Sequence, residues 1–205
     1  MIELGVDKRT AEQFAESSDN TRIVVPEWQY ARAEGVGSFA LLFLPCDWTE
    51  LAHLYAMNWS GKRWHATDNI EMDCHYDDSV SFEVGSIRSP RSDEVIVHHS
   101  CEGHGTGYLE QEIQVLAIRN GKFATELKAD EVLHSHPTAV KKPRDLDQSS
   151  TFTVIPISSS TTRAIEETRS STLNGHLTVE RRIFRWDPAK GRYRPSPFSY
   201  VESVP

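Results

Sequence analysis

The sequence has no apolar stretch long enough to cross a lipid bilayer. Its longest apolar run, FALLFLP at residues 39–45, has the length of a β-strand, whereas a membrane-spanning helix needs about 20 residues. Residues 1–22 also lack the basic start and apolar centre of a signal peptide. As written, the chain is expected in the cytoplasm; if a leader has been removed, we expect a periplasmic or secreted protein.

An excess of basic residues is missing as well. The chain carries 22 Lys and Arg against 30 Asp and Glu, which gives a formal net charge of -8. Proteins that bind nucleic acid generally present a basic face to the phosphates, so no nucleic-acid partner is expected. The hydrophobic share of 38% is ordinary for a globular protein and too high for a wholly disordered chain.

Cysteine is scarce and odd in number. Cys46, Cys74 and Cys101 allow one disulfide with a leftover thiol, or three reduced thiols. If a disulfide forms, Cys74 and Cys101 are the expected pair because both lie at the ends of apolar strands that could be neighbours. Cys46 follows a core strand and is expected to be a buried thiol.

Strand and turn signals are abundant. In residues 94–127 two β-type runs flank Asn120-Gly121, a pair that favours a type I′ hairpin turn because both residues tolerate positive φ. Similar turns are predicted at Ser60-Gly61 and at residues 188–191. These patterns predict an all-β fold of mostly antiparallel sheets, either a β-sandwich or a curved stack of hairpin units, with few short helices.

The domain organisation follows from changes in composition. Residues 1–20 are polar and are predicted to form a lead-in, as a short helix or a disordered segment. Residues 21–205 are predicted to form a single β-rich domain. Within it, residues 128–150 are polar and interrupted by two prolines, so we expect a long surface loop there.

Three segments share a pattern of apolar strand, glycine, basic residue and aromatic residue. They are LYAMNWSGKRW, VLAIRNGKFAT and RIFRWDPAKGRYR, with glycines at positions 61, 121 and 191. This signature resembles FG-GAP-type β-repeat modules of secreted bacterial proteins, which implies related β units. The Asp-x-Asp-x-Asp calcium loop of those modules is absent here, so their metal site is not carried over. Ordinary hairpins that reuse glycine turns would produce the same pattern.

A second resemblance is local. His134-Ser135-His136-Pro137, with Asp147 eleven residues after His136, is similar to the zinc motif of JAMM metalloproteases. The resemblance implies that His134, His136 and Asp147 bind a tetrahedral Zn²⁺ whose fourth ligand is a water. The family's serine, three residues before the aspartate, is replaced by Arg144, and no long amphipathic helix accompanies the motif.

A further group of potential metal ligands is formed by His98, Cys101 and His104. Imidazole and thiolate suit a soft or borderline metal. Because His98 and its neighbour His99 point to opposite faces of a strand, only one of them can join the other two residues. A purely structural role for these side chains is the alternative.

Two functions from different classes remain. The first, which we favour, is a non-catalytic binding module without a cofactor, in which exposed aromatics such as Trp28, Trp48 and Trp186 contact a protein or glycan partner. The second is a zinc-dependent hydrolase that uses His134, His136 and Asp147.

Overall fold

The computed structural model describes residues 27–33, 37–45, 51–73, 79–103, 108–135, 146–158, 160–173 and 175–204. Within them the chain forms thirteen strands. They are β1 (Glu27–Ala33), β2 (Gly37–Leu44), β3 (Leu51–Trp59), β4 (Trp64–Asp73), β5 (Ser79–Gly85), β6 (Glu94–Gly103), β7 (Tyr108–Arg119), β8 (Lys122–Ser135), β9 (Leu146–Pro156), β10 (Arg163–Leu173), β11 (His176–Asp187), β12 (Arg192–Pro195) and β13 (Ser199–Val204).

The prediction of an all-β, antiparallel fold is confirmed. The part of the chain that the structure describes contains no helix, and hence none that could cross a membrane. The predicted turns also hold: Ser60 N–H donates to the Arg63 carbonyl between β3 and β4, and residues 188–191 join β11 to β12. At the third turn Asn120 and Gly121 have φ values of 52° and 76°, as a type I′ turn requires.

The strands form two meandering sheets. The small sheet has the order β1-β2-β3-β4, and the large sheet runs β12-β11-β10-β9-β8-β7-β6-β5. Strand β13 pairs with residues 177–181 of β11, beside the stretch of β11 that pairs with β12. Consecutive strands are neighbours because short turns can only join antiparallel partners.

The small sheet packs on one face of the large sheet. The shared core combines Phe39, Leu41 and Phe43 of β2 with Val95 and Val97 of β6, together with side chains from their neighbours. A tilted aromatic pair, Phe43 and Phe82, crosses this interface with ring centroids 5.1 Å apart. The two sheets therefore form a sandwich, one of the two arrangements predicted from the sequence.

The large sheet also curls over its own opposite face. A second core unites β6, β7 and β8 with β10, β11 and β12 through Ile87, Ile96, Ile113, Val115, Leu127, Ala129, Ile165, Phe184 and Tyr193. Strands β6 and β7 are consequently apolar on both faces. Curling is the expected behaviour of a long twisted sheet, which cannot stay flat over nine strands.

The prediction of a loop at residues 128–150 is wrong at both ends. Strand β8 continues through Ser135 and β9 begins at Leu146, so only residues 136–145 separate them, and these lie outside the described residues. The polar composition indicated a solvent-exposed loop. The backbone N–H and C=O groups of these residues instead form hydrogen bonds to neighbouring strands. The predicted lead-in at residues 1–20 also lies outside the described residues.

Gly191, in the turn between β11 and β12, offers a test of how the curl is held. Its φ is +61°, and a Cβ there would lie 2.5 Å from Nη1 of Arg119. Gly175 has a φ of +82° and open space around it, so it is a matched control. We expect Gly175→Ala to cost about 1 kcal/mol of unfolding free energy from backbone strain alone.

In urea unfolding, Gly191→Ala should cost at least about 1 kcal/mol more than Gly175→Ala. The added methyl group would force Arg119 to break its hydrogen bonds to Glu126 and to the carbonyl of residue 191. Equal losses in the two variants would show that Arg119 moves aside freely.

Candidate ligand-binding site

Strands β8 and β9 stay together over only part of their length. Residues 132–135 of β8 pair with residues 146–149 of β9. By contrast, β8 pairs with β7 down to Lys122, and β9 pairs with β10 up to Pro156. The large sheet therefore opens between residues 122–131 of β8 and residues 150–156 of β9. This opening faces the second core.

A cavity of about 380 Å³ lies at this split. One side is built by apolar side chains of the loop before β6 and of β6, β7, β8 and β10: Ile87, Ile96, Ile113, Val115, Leu127 and Ile165. The other side is β9, with Ser150, Thr151, Phe152 and Val154. The volume falls within the range of about 300–1,000 Å³ that is typical of small-molecule sites.

A few polar groups complete the lining. His98 on β6 and Glu131 on β8 are half-buried and hydrogen-bonded, with 2.7 Å between Nδ1 and Oε2. Glu83 on β5 lines the cavity and is exposed. Ser150 is buried, and its hydroxyl donates to Glu167 at 2.9 Å. The lining thus combines apolar walls with one hydrogen-bonded acid–base pair, which is a common composition for a binding site.

The β9 wall is anchored by a buried carboxylate. Glu167 of β10 is inaccessible to solvent and accepts hydrogen bonds from Ser150, Arg169 and Arg182. Both guanidinium groups also lie over the ring of Phe198, at 4.3 and 4.4 Å from its centroid. Because a buried carboxylate needs such partners, Ser150 and the strand that carries it are held in place.

A second buried ionic cluster ties the ends of the curled sheet together. Arg119 donates to Glu126 at 2.5 Å and to the Gly191 carbonyl at 2.9 Å. Arg88 lies 3.5 Å from a carboxylate oxygen of Glu94. Both arginines lie over the Trp186 ring, at 5.0 Å for Arg88 and 5.4 Å for Arg119. The tip of the β7–β8 hairpin is thereby joined to the β11–β12 turn.

Burial changes the acidity of this ionic cluster. Desolvation raises the pKa of Glu126 from 4.5 to about 6, although hydrogen bonding to Arg119 acts in the opposite direction. Desolvation also raises the pKa of Glu94, against hydrogen bonds from the Arg88 and Ile87 amides. One oxygen of Glu126, Oε2, has no hydrogen-bond partner among the described residues. Glu126 therefore takes up a proton near pH 6.

The zinc ligands predicted by the JAMM resemblance are only partly described. His134 and Asp147 face each other across the β8–β9 ladder, and Nδ1 lies 2.7 Å from Oδ1. Asp147 is thus a direct neighbour of His134, and these two atoms are engaged with each other. His136 lies outside the described residues. The zinc site stays a prediction.

The second predicted ligand group does not come together in its described part. Strand β6 continues to Gly103, so His98 and Cys101, three residues apart, point to opposite faces. His98 lines the cavity, whereas Cys101 shares the face of His99, whose ring nitrogen contacts the Asp73 carbonyl. His104, Cys74 and Cys46 lie outside the described residues, so the cysteine pairing also stays a prediction.

Register brings together a third group that sequence reasoning missed. Carboxylate oxygens of Glu110, Glu112 and Asp130 lie within 4.8 Å of one another. Lys128 lies 2.5 Å from Glu112, and the Gln114 amide donates to the same carboxylate at 2.7 Å. Lys128 offsets part of the negative charge and Gln114 adds a hydrogen bond, so we interpret the group as a surface charge network.

Exposed aromatic side chains gather on the outer face of the small sheet. Trp28, Tyr30 and Trp59 are 41%, 67% and 50% exposed. The half-buried Trp64 packs against both tryptophans, with ring centroids 6.2 Å from Trp28 and 5.4 Å from Trp59. Of the other aromatics predicted to contact a partner, Trp186 is half-buried beneath the two arginines and Trp48 lies outside the described residues.

Comparisons with models of protein families, with curated proteins and with solved structures find no match.

The raised pKa of Glu126 predicts how stability depends on pH. Its folded-state pKa of about 6 exceeds the unfolded value of 4.5, so the folded protein binds this proton more tightly and loses stability as the pH rises between the two. Relative to Glu126→Gln, the wild-type free energy of unfolding should fall by about 2 kcal/mol from pH 4 to pH 7.

Urea unfolding of both proteins at several pH values measures this difference. A constant difference across that range would show that Glu126 is ionised as readily as an exposed glutamate.

Proposed function

We propose that the protein is a non-catalytic binding module that holds a small, mostly apolar molecule in the cavity at the split between β8 and β9. The observation that carries the proposal is the cavity itself, which the second core surrounds on the side of β6 and β7. Apart from Ile87, its walls are built by strands, so a ligand would meet a preformed surface and little binding energy would be spent on ordering it.

The polar groups of the lining favour binding over chemistry. A serine nucleophile needs an adjacent base to accept its proton. The Ser150 hydroxyl donates to Glu167, but two arginines already bond that carboxylate, and the lining histidine, His98, is bonded to Glu131 rather than to Ser150. The Ser150–Glu167 and His98–Glu131 pairs thus hold the cavity walls in position. They leave a small number of polar contacts, which is enough to orient a ligand.

A protein or glycan partner remains part of this proposal, with the patch formed by Trp28, Tyr30, Trp59 and Trp64 as its contact surface. Large exposed aromatics are enriched where proteins bind their partners, because they bury much apolar area with few rotatable bonds. The two outer tryptophans are exposed while the central one supports them, so the patch is both accessible and braced.

A substitution at the rim tests the cavity directly. Val154 lines the cavity and is 39% exposed, whereas Val201 on β13 is 45% exposed and is not among the lining residues. An indole at position 154 should occupy the opening, so Val154→Trp should bind the neutral dye Nile red at least about tenfold more weakly, a loss of about 1.4 kcal/mol.

Fluorescence titration gives the affinities, and thermal unfolding shows whether the variants are folded. Val201→Trp should bind the dye like the wild type. Equal affinities in all three proteins would place the dye elsewhere and contradict the proposal.

The second candidate function is a zinc-dependent hydrolase. The specific observation in its favour is that two of the three predicted ligands, His134 and Asp147, lie side by side with 2.7 Å between their polar atoms. A zinc ion would have to separate these atoms, since each would bond it at about 2.0–2.2 Å.

Elemental analysis of the purified protein separates the two functions. The binding-module proposal expects no stoichiometric zinc, and His136→Ala should then change stability by less than about 0.5 kcal/mol. One zinc per chain, lost in both His134→Ala and His136→Ala, would favour the hydrolase.

A further inference from the structure

We propose that the ligand of the cavity is an organic cation, an amine or a similar positively charged group on an apolar body. This inference rests on the proposed function, because it specifies the ligand class of the same site. Its basis is the distribution of charge around the lining.

The charged groups of the lining are of one sign. Of the described residues that line the cavity, Glu83 and Glu131 carry carboxylates, and none is lysine or arginine. Glu131 is the more enclosed of the two, with 23% of its side chain exposed, and it stands beside apolar walls. Water there is partly excluded, so a charge on the ligand interacts more strongly with Glu131 than it would in bulk solvent.

His98 leaves this negative charge in place when its ring is neutral. The neutral imidazole donates its Nδ1 proton to Glu131, and the pair then carries one negative charge. A carboxylate has room for several hydrogen bonds, so Glu131 can accept a further donor from a ligand. An ammonium group supplies such a donor together with the opposite charge.

The nearby cations are committed to other carboxylates. Arg169 and Arg182 are bonded to Glu167 and lie over Phe198. Lys128 is paired with Glu112, whose strand position places it on the other face of the sheet from Ile113 and Val115. Among the described residues that line the cavity, an anionic ligand would therefore meet Glu131 with no lysine or arginine to offset the repulsion, and a fatty acid is disfavoured.

Three probes of equal length and different charge test this inference: hexylamine, hexanol and hexanoate. Each competes with Nile red for the wild-type protein at pH 8, where the amine is protonated. We expect hexylamine to bind at least about tenfold more tightly than hexanoate, with hexanol between them.

Two variants locate the charge. Glu131→Gln keeps an acceptor for His98 and should remove most of the preference for the amine while leaving the affinity for hexanol unchanged. Glu166→Gln, at a half-buried glutamate of β10 that does not line the cavity, should keep the full preference. Thermal unfolding confirms that both variants are folded.

The outcomes are distinct. If Nile red and hexanol bind and the three probes show no preference, or if Glu131→Gln keeps the preference, the cationic ligand class is wrong and the binding function stands. If neither Nile red nor hexanol binds the wild-type protein, both the ligand class and the proposed function are wrong.

Discussion

Arg119 links the tips of two hairpins, and the shape of the large sheet depends on that contact. Its guanidinium bonds Glu126 on its own hairpin and the Gly191 carbonyl on the β11–β12 turn, and it lies over Trp186. These contacts draw β11 and β12 over β7 and β8 while β9 is held by its long ladder to β10. The ladder between β8 and β9 stops at Val132 and Ser149, and we interpret the split beyond it as a consequence of this curl.

Burying charges to shape a sheet is costly in free energy. A buried ion pair contributes little net stability, because desolvation of both partners offsets their attraction. Here the cost shows in the raised pKa of Glu126. Glu167 has more hydrogen-bond partners, since two arginines and a serine bond its carboxylate. Glu167 binds groups from β9, β10 and β11, so its burial fixes the position of the β9 wall of the cavity.

Much of the fold could be predicted from local signals. Turns depend on the chemistry of a few adjacent residues. All three predicted turns, at Ser60-Gly61, Asn120-Gly121 and residues 188–191, lie between consecutive strands as expected. The apolar strand predicted within LYAMNWSGKRW is also present, as part of β3. Polar strands were harder: residues 128–135 lack an apolar run, and only their pairing with β7 and β9 makes them strand.

The candidate site could not be predicted in the same way. His98 was recognised as a potential ligand because it is a histidine. Its partner Glu131 is 33 residues away, and the pair comes together at a register shift in the β7–β8 ladder, between Gln111 and Glu112. The split between β8 and β9 likewise depends on where a ladder stops, which no short pattern encodes. Metal-ligand spacing pointed to His134 and Asp147, and the ladder does make them neighbours, through strand pairing.

The proposed function depends on an open apolar space where β8 and β9 part. A crystal structure under xenon pressure tests it without any assumption about the natural ligand, since xenon enters apolar cavities that water leaves empty. We expect xenon to bind in contact with Ile96, Val115 and Ile165. The cavity would be absent if the ladder between β8 and β9 continued beyond Ser149, side chains filled the space and no xenon bound.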